Sequence, residues 1–242
     1  QLHKWEIGRT VSYEMVNLNL KDSDKVQMFF DDLTGAGYGY IIPKSKKSAN
    51  VGLGRLGVDE HPWEHLEAFL ELHPIVAPQV KNAGILEIKT GETPITGPKL
   101  ELKKGNVLYV GDAAGQNLAH VGEGAIPSHI CGRIAGEVAS KATKVDDLSI
   151  LEEYPKKISE TIGPLLEECA EIRDSVVTLL ASDMPPETKF LIGGLLISEL
   201  IHPRETEFID DLSKLSSDEV ISRVSALIKK QDREKFIKIK KQ

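Results

Sequence analysis

The chain has 242 residues, and its 30 Lys and Arg against 37 Asp and Glu give a formal net charge of −7. A hydrophobic content of 40% and a charged content of 28% are typical of a globular protein and exclude disorder of the whole chain. The acidic balance and the few aromatic residues predict no nucleic-acid partner. Two cysteines, Cys131 and Cys169, cannot form a disulfide framework. This cysteine usage predicts a reducing, cytoplasmic environment.

The first residues lack both an initiator Met and the apolar core of a signal peptide, so we expect a processed or truncated piece of a longer protein. The longest strongly apolar stretch, residues 190–201, is too short to span a bilayer. Residues 229–241 hold seven basic and two acidic residues, and Phe236, Ile237 and Ile239 are interleaved with Lys. This stretch is expected to be a solvated terminus, and peripheral contact with anionic lipid headgroups at the membrane surface stays open as the alternative.

The front of the chain has the alternating pattern of β-strands. Residues 10–20 place one apolar set on a single face, namely Val11, Tyr13 and Met15. Residues 35–43 and 51–54 are rich in glycine and flank a polar, lysine-loaded turn at residues 44–50. This pattern predicts a β-hairpin.

The next segment changes from helix to strand. Pro62 predicts the first turn of a helix that runs to residue 72, with Trp63, Leu66, Phe69 and Leu70 at helical spacing. Residues 85–88 predict a short strand, and residues 91–98 form a link rich in Pro and Gly. Residues 106–110 are an apolar run bounded by glycines, which predicts a buried strand.

The second half predicts helices. Residues 124–142 are rich in small residues, as in a tightly packed helix. Residues 148–180 carry an apolar stripe whose steps are all three or four, and Pro155 and the pair at 163–164 should kink or divide it. Its members are Leu148, Leu151, Tyr154, Ile158, Ile162, Leu165, Cys169, Ile172, Val176 and Leu179. After the prolines at 185–186, further helices are predicted, the last with Val220, Val224, Leu227 and Ile228 on one face.

The segment at residues 107–115 carries the clearest chemical signal. A buried strand that ends at Gly111 would place Asp112 at its carboxyl end, where ligands lie in open α/β structures. A carboxylate there can accept a hydrogen bond from a sugar hydroxyl, and Gly122 and Gly124 would let main-chain amides face a ligand at the start of the next helix. A plain strand-to-helix turn with Asp112 as a cap is the alternative.

Residues 107–139 (VLYVGDAAGQNLAHVGEGAIPSHICGRIAGEVA) resemble the second FAD-binding motif of flavoprotein oxidoreductases. More narrowly, they resemble the geranylgeranyl reductase family, which includes archaeal enzymes that saturate the isoprenoid chains of membrane lipids. Residues 37–54 (GYGYIIPKSKKSANVGLG) are similar to the substrate-domain pattern Tyr-x-Trp-x-Phe-Pro-Lys of that family, and residues 92–98 (ETPITGP) to its link. Three segments in the right order are more specific than one.

This resemblance implies an FAD-dependent reductase of isoprenoid lipids. Its cofactor-binding residues would be Gly111, Asp112, Ala113, Gly122, Glu123, Gly124, Ala125 and Ile126. Asp112 would hold a ribityl hydroxyl, and the loop amides would lie near the pyrimidine edge of the flavin. The substrate residues would be Tyr38, Tyr40, Ile42 and His120. An electron donor such as ferredoxin or NAD(P)H is implied, and no side chain is identified as the catalytic acid.

Several features depart from the family pattern. Tyr40 stands where the pattern has Trp, and Ile42 where it has Phe. The Gly-x-Gly-x-x-Gly fingerprint of the first dinucleotide-binding unit is missing from this sequence, so the chain resembles the portion that follows that unit. A flavin-dependent monooxygenase or halogenase, which shares the Asp112-type motif, is one alternative. A fragment that binds no flavin by itself is the other.

Two histidine patterns are weak signals. His61 and His65 match the letters of a zinc motif, but Pro62 places His61 before the helix, so no metal site is predicted. His120 could protonate a substrate carbon or hold a phosphate, although a solvated loop histidine is the commoner case.

The predicted fold is α+β. Residues 1–98 would form a β-rich substrate region with an antiparallel sheet. Residues 99–144 would add the strand, loop and helix of an FAD-binding domain, and residues 145–242 a helical C-terminal region.

Overall fold

A computed structural model describes residues 2–98, 101–181, 192–194, 219 and 222. The chain divides into two compact units, residues 1–93 and 94–242. Within the described residues, no helix is both long and apolar enough to cross a membrane. The antiparallel sheet and the helices confirm the predicted α+β class.

The first unit contains a five-stranded sheet. Its strands are β1 (Ile7–Val16), β2 (Gln27–Phe29), β3 (Gly37–Ser45), β4 (Ser48–Arg55) and β5 (Gly84–Pro94), and their order is β2-β3-β4-β1-β5. β3 pairs antiparallel with β2 and β4, and β4 also pairs antiparallel with β1. The unit also holds α1 (Trp63–Leu72) and the short α2 (Ala77–Val80). A 3₁₀ turn at Lys4–Glu6 precedes β1.

One face of this sheet forms the apolar core. The predicted inward set on β1 is confirmed, since Val11, Tyr13 and Met15 are all buried. They join Ile41, Val51, Leu53, Leu66 and Phe69 in one hydrophobic cluster. The alternation works because cross-strand partners share a face, so that each strand contributes every second residue to the same core.

The hairpin is tighter than predicted. β3 and β4 continue through most of residues 44–50, and Ser45 pairs with Ser48 across the turn. The polar residues near the turn can stay in the two strands, because their side chains are exposed to water at this end of the hairpin. β5 is likewise longer than the predicted strand at 85–88 and takes in part of the predicted link.

Helix α1 confirms the predicted helix, with Pro62 as the residue that caps its start. Leu66, Phe69 and Leu70 are buried against the sheet. Trp63 was predicted for the same stripe but is 39% exposed. Trp63 is the first residue of α1, and the core does not cover the helix fully at this end.

In the second unit, the predicted buried strand at 106–110 is wrong. The unit has only a two-residue strand β7 (Val107–Leu108) there, paired antiparallel with β6 (Lys103–Lys104), and Val107 is 55% exposed. A buried strand needs pairing partners on both sides, and among the described residues β7 pairs with β6 alone.

The helices of the second unit are α3 (Ala125–Val145), α4 (Glu153–Thr161) and α5 (Gly163–Ala181), with a 3₁₀ turn at Leu148–Glu152. The division at Gly163 was predicted. Pro155 does not interrupt helix α4, because it lies in the first turn. Amides of the first turn have no hydrogen-bond partner within the helix, so the missing N–H of a proline costs nothing there.

The apolar stripe of these helices is buried, with two exceptions. Leu148 and Leu165 are exposed, and Leu166 is buried in place of Leu165. This replacement is local, since Cys169, Ile172, Val176 and Leu179 are buried as predicted. Cys131 and Cys169 are buried free thiols, and burial raises the pKa of Cys131 to about 11. The predictions for residues 185–186, for the last helix and for the basic stretch at 229–241 lie outside the described residues.

Candidate functional site

The predicted substrate residues on β3 share one face of the sheet. Tyr38, Tyr40 and Ile42 alternate with the core residues Gly39 and Ile41, so they lie on the face opposite α1. Across β4 their partners are Gly54, Gly52 and Asn50. A Cβ at Gly52 would overlap the Tyr40 ring, so the absence of a side chain at Gly52 makes room for that ring.

Aromatic rings line this face. The ring centroids of Tyr38 and Tyr40 are 6.1 Å apart, and Phe30 lies 5.7 Å from Tyr38. Burial raises the pKa of Tyr38 to about 12 and also raises the pKa of Tyr40, whose hydroxyl is hydrogen-bonded to Ser12. Both phenols therefore stay neutral at physiological pH. Ile42 is 40% exposed and continues the apolar strip toward the hairpin turn.

The predicted cofactor residues of the second unit cluster around a 3₁₀ turn, Gly111–Ala114, and the start of α3. Gly111 and Gly115 both have φ above +60°, a conformation that a side chain would strain. A Cβ at Gly111 would lie 3.0 Å from the Ser128 hydroxyl oxygen. Asp112 and Ala113 are exposed, whereas Gly111 and Ala114 are buried. The turn therefore presents the Asp112 side chain outward on a fixed main chain.

A buried polar network holds this turn. The Gln116 Oε1 accepts a hydrogen bond from the Gly111 amide at 2.8 Å, and its Nε2 donates to the Tyr154 hydroxyl at 2.9 Å. The Tyr154 hydroxyl in turn donates to the Tyr109 carbonyl at 2.9 Å. Gln116 and Tyr154 are both fully buried. Because buried polar groups are costly when unpaired, these bonds fix the turn from both sides.

Asn117 connects the turn to the preceding link. Its Nδ2 donates to the Pro94 carbonyl and lies 3.4 Å from the Asp112 Oδ1. A Cβ at Gly124 would lie 3.3 Å from the same Asp112 oxygen, so the carboxylate rests close to the main chain at the start of α3. Asn117 is fully buried, and its Oδ1 has no hydrogen-bond partner among the described residues.

Glu123 caps helix α3 with its own side chain. Its Oε1 accepts hydrogen bonds from the Ala125 and Ile126 amides at 2.7 and 3.1 Å. The loop before it is closed by main-chain bonds, including one from the Leu118 amide to the Glu123 carbonyl at 2.7 Å. These two helix amides are therefore already satisfied, and an anionic ligand edge would have to replace the Glu123 carboxylate. Their predicted place beside a flavin stays a prediction.

His120 is the histidine that was predicted as a substrate residue. His120 is half-buried in the loop at 118–123, in the same unit as Asp112. No cluster of three or more His, Cys, Asp or Glu that could hold a metal ion occurs in the part of the chain that the structure describes. Tyr38, Tyr40 and Ile42 belong to the first unit, and the loop residues belong to the second.

Sequence reasoning missed three residues that hold the Asp112 turn, namely Gln116, Asn117 and Tyr154. Two adjacent amide side chains directly after a glycine turn were a usable signal, because Gln and Asn can both donate and accept. Tyr154 lies in an apolar stripe, where a hydroxyl needs a partner. The two partners are 38 positions apart in the chain, so the sequence alone did not connect them.

The turn fits a polyhydroxylated ligand such as the ribityl chain of FAD. The Asp112 carboxylate is exposed, glycine main chain lies beside it, and open space surrounds the Gly122 Cα. Buried acceptor atoms, the Asn117 Oδ1 and the Glu123 Oε2, have no hydrogen-bond partner among the described residues. Hydroxyl donors would satisfy such acceptors.

Part of the chain matches the model of a known protein family. Residues 6–93 match the model of the geranylgeranyl reductase catalytic domain. The chain is 38% identical over 163 residues to a digeranylgeranylglycerophospholipid reductase of Methanococcus aeolicus, which covers 66% of this chain and 41% of the relative. It is 39% identical over 158 residues to the same enzyme of Methanocaldococcus jannaschii, covering 64% of this chain and 40% of the relative. The chain thus spans about two fifths of the length of these curated relatives.

Solved structures agree on the fold. A geranylgeranyl bacteriochlorophyll reductase-like protein of Thermoplasma acidophilum has a TM-score of 0.70 at 22% identity, over 94% of this chain and 56% of that chain. A flavin-dependent brominase has a TM-score of 0.52 at 10% identity, over 97% of this chain and 58% of its own, which shows likeness of fold alone. The comparisons therefore confirm the resemblance to the geranylgeranyl reductase family that the sequence predicts.

Proposed function

We propose that this chain supplies the lipid-binding sheet and the second FAD-binding segment of a reductase that saturates C=C bonds in the isoprenoid chains of membrane lipids. The observation that carries the proposal is the family match over residues 6–93. This region contains Tyr38, Tyr40 and Ile42, which lie on one face of β3. The named reductases of two methanogens act as the reference for the substrate class, a digeranylgeranylglycerophospholipid. Ferredoxin or NAD(P)H is the proposed source of electrons.

Reduced FAD, when bound, would supply a hydride to one carbon of the double bond and become oxidised, while a proton adds to the neighbouring carbon. In this chain, the Asp112 carboxylate would accept a hydrogen bond from a ribityl hydroxyl, and the Gln116 and Tyr154 network would keep the turn in place. Tyr38, Tyr40 and Ile42 would contact the apolar chain of the substrate. An isolated alkene offers no charge to stabilise, so positioning and exclusion of water are the contributions expected from such side chains.

Asp112→Ala tests the cofactor assignment. We expect the flavin affinity of the chain to fall at least about tenfold, since a charge-assisted hydrogen bond is lost. The measurement is quenching of flavin fluorescence during titration with the protein. Asp146→Asn is the matched control, because Asp146 is an exposed acid with φ of 52° at the end of α3, where Asn is well tolerated.

Wild-type and Asp112→Ala chains with equal flavin affinity would contradict the assignment. The reductase activity has a separate test, in which chemically reduced FAD and a geranylgeranyl glycerophospholipid are incubated with the protein without oxygen. Mass spectrometry should find added hydrogen in the lipid. Hydroxylated lipid or peroxide in the presence of oxygen would instead favour a monooxygenase.

A further inference from the structure

Arg55, at one end of the sheet in the first unit, is a cation that has no counter-charge among the described residues. It is the last residue of β4 and pairs with Arg9 on β1 and with Gly37 on β3. Because cross-strand partners share a face, Arg55 and Arg9 lie on the face that α1 covers. Two like charges placed directly opposite each other are unfavourable unless each has its own partner.

Arg9 has such a partner, whereas the described part of the chain offers none to Arg55. The Arg9 Nε lies 2.8 Å from the Glu92 Oε1, and its guanidinium also donates to the Val58 carbonyl. Arg55, in contrast, makes no ion pair and no hydrogen bond with its guanidinium among the described residues, and its Nε is buried and unsatisfied. Burial lowers the pKa of Arg55, and no carboxylate offsets that effect.

Other polar groups border this guanidinium. It lies against Gly35, which has φ of 60° and where a Cβ would overlap it. The pKa of His65, the third residue of α1, is lowered by burial and by the charge of Arg55, with a partial offset from Glu64. Pro62 caps α1 without a side-chain hydrogen bond, so the helix adds its partial positive charge at this end.

Buried charges in proteins are paired, and an unsatisfied buried donor costs free energy. A guanidinium presents a planar fork of donors that matches the oxygens of a phosphate group. We propose that Arg55, with His65 beside it, binds the phosphate group of a ligand. This inference deepens the proposed function, on which it rests, because the lipid substrate class named by the relatives carries a phosphate in its headgroup. Arg55 is the last residue of β4 and pairs with Gly37, the residue before Tyr38, so a lipid on the Tyr38 face would reach Arg55 around the end of the sheet.

Titration with glycerol phosphate, without any flavin, tests the site. In a ¹H–¹⁵N NMR spectrum the Arg55 Nε–H signal, assigned by its loss in Arg55→Lys, should shift on binding. Tryptophan fluorescence gives a second measurement of binding. Of the two tryptophans in the chain, Trp5 packs on Gly57, two residues after Arg55, and Trp63 is the first residue of α1.

Arg55→Met should weaken glycerol phosphate binding at least about tenfold, and Arg55→Lys should retain part of it. Lys46→Met is the matched control, since it removes the same charge from the exposed hairpin turn at the other end of β3 and β4, and its affinity should stay within about twofold. The thermal midpoint of Arg55→Met should not fall, because the variant removes an uncompensated charge.

Inorganic phosphate and glycerol serve as comparison ligands. Tighter binding of glycerol phosphate than of inorganic phosphate identifies a lipid headgroup site, whereas equal binding identifies a site for free phosphate. Glycerol alone should not bind. Absence of a shift with both phosphates, or equal binding by Arg55→Met and wild type, overturns the proposal. A normal flavin titration in the same preparation would show that the proposed cofactor role is unaffected by that result.

Discussion

Both units of this chain have an apolar core, but their candidate functional residues are held in different ways. The first unit closes an apolar core between one sheet face and α1, and its best-defined residues are buried aliphatic and aromatic side chains. The second unit builds its candidate site on polar side chains, with Gln116, Asn117 and Tyr154 around one glycine turn. Apolar alternation is visible in a sequence, while a three-membered polar network is not. The difference explains why the sheet was easier to predict than the turn.

The largest effect is expected in the apolar core. Phe69→Ala should lower the free energy of unfolding of the first unit by about 4 kcal/mol, since Phe69 is fully buried and packs edge-on against Phe29 at 5.4 Å. Urea unfolding followed by tryptophan fluorescence measures it, because both tryptophans lie in this unit. Leu72→Ala, in the same helix but 67% exposed, is the control and should change stability by less than about 0.5 kcal/mol. Equal losses for the two variants would refute the assigned core.

The next effect tests the polar network of the second unit. Asn117→Asp should cost about 3 kcal/mol near neutral pH, because it buries a second carboxylate within 3.4 Å of the Asp112 oxygen. The new carboxyl group would have a raised pKa in the folded state, so its deficit should be small below about pH 4 and should grow as the pH rises. Far-UV circular dichroism during thermal unfolding gives the measurement. Asn117→Leu, which adds no charge, should show a smaller loss that does not vary with pH.

Tyr154→Phe should cost about 2 kcal/mol, because it leaves the buried Gln116 amide and Tyr109 carbonyl without their shared partner. Ser159→Ala on the same helix is the control, since its hydroxyl bonds only the Lys156 carbonyl one turn earlier and is exposed. The thermal midpoint of Tyr154→Phe should therefore lie clearly below that of Ser159→Ala. If Tyr154→Phe also loses flavin affinity in proportion, the network positions Asp112. A stability loss with unchanged flavin affinity would limit the network to folding.

The smallest effect is a loss of stability in alkali. The pKa of Tyr13 is raised to about 12, first by burial and then by its hydrogen bond to Glu67, from an ordinary value of 10.0. Since the folded-state value lies above the unfolded one, the contribution is complete below pH 10 and is lost as the pH rises toward about 12. The thermal midpoint of Tyr13→Phe should therefore fall less steeply over this range. Parallel curves for the two proteins would contradict the shift.

These contrasts define what the sequence could predict. Strand alternation placed Val11, Tyr13 and Met15 correctly in the core, and the helix of residues 63–72 followed from its spacing and its proline. The apolar run at 106–110 led to the wrong prediction of a buried strand, because hydrophobicity indicates burial but does not identify the partner strands that burial requires. The tie between Gln116 and Tyr154 spans 38 positions and depends on tertiary packing, so no local pattern could have predicted it.

Strand β5 has a consequence for handling the chain in solution. It lies at the edge of its sheet, with the exposed apolar side chains Ile85, Leu86 and Ile88, and such edges can pair with other copies. Lys89 follows these residues in the same strand, and its Nζ lies 3.1 Å from a Glu87 carboxylate oxygen and 3.5 Å from a Glu14 carboxylate oxygen. Charges of this kind oppose self-association along an open edge, and salt screens them. Concentrated preparations should accordingly aggregate sooner as ionic strength increases, and they keep best in dilute buffer.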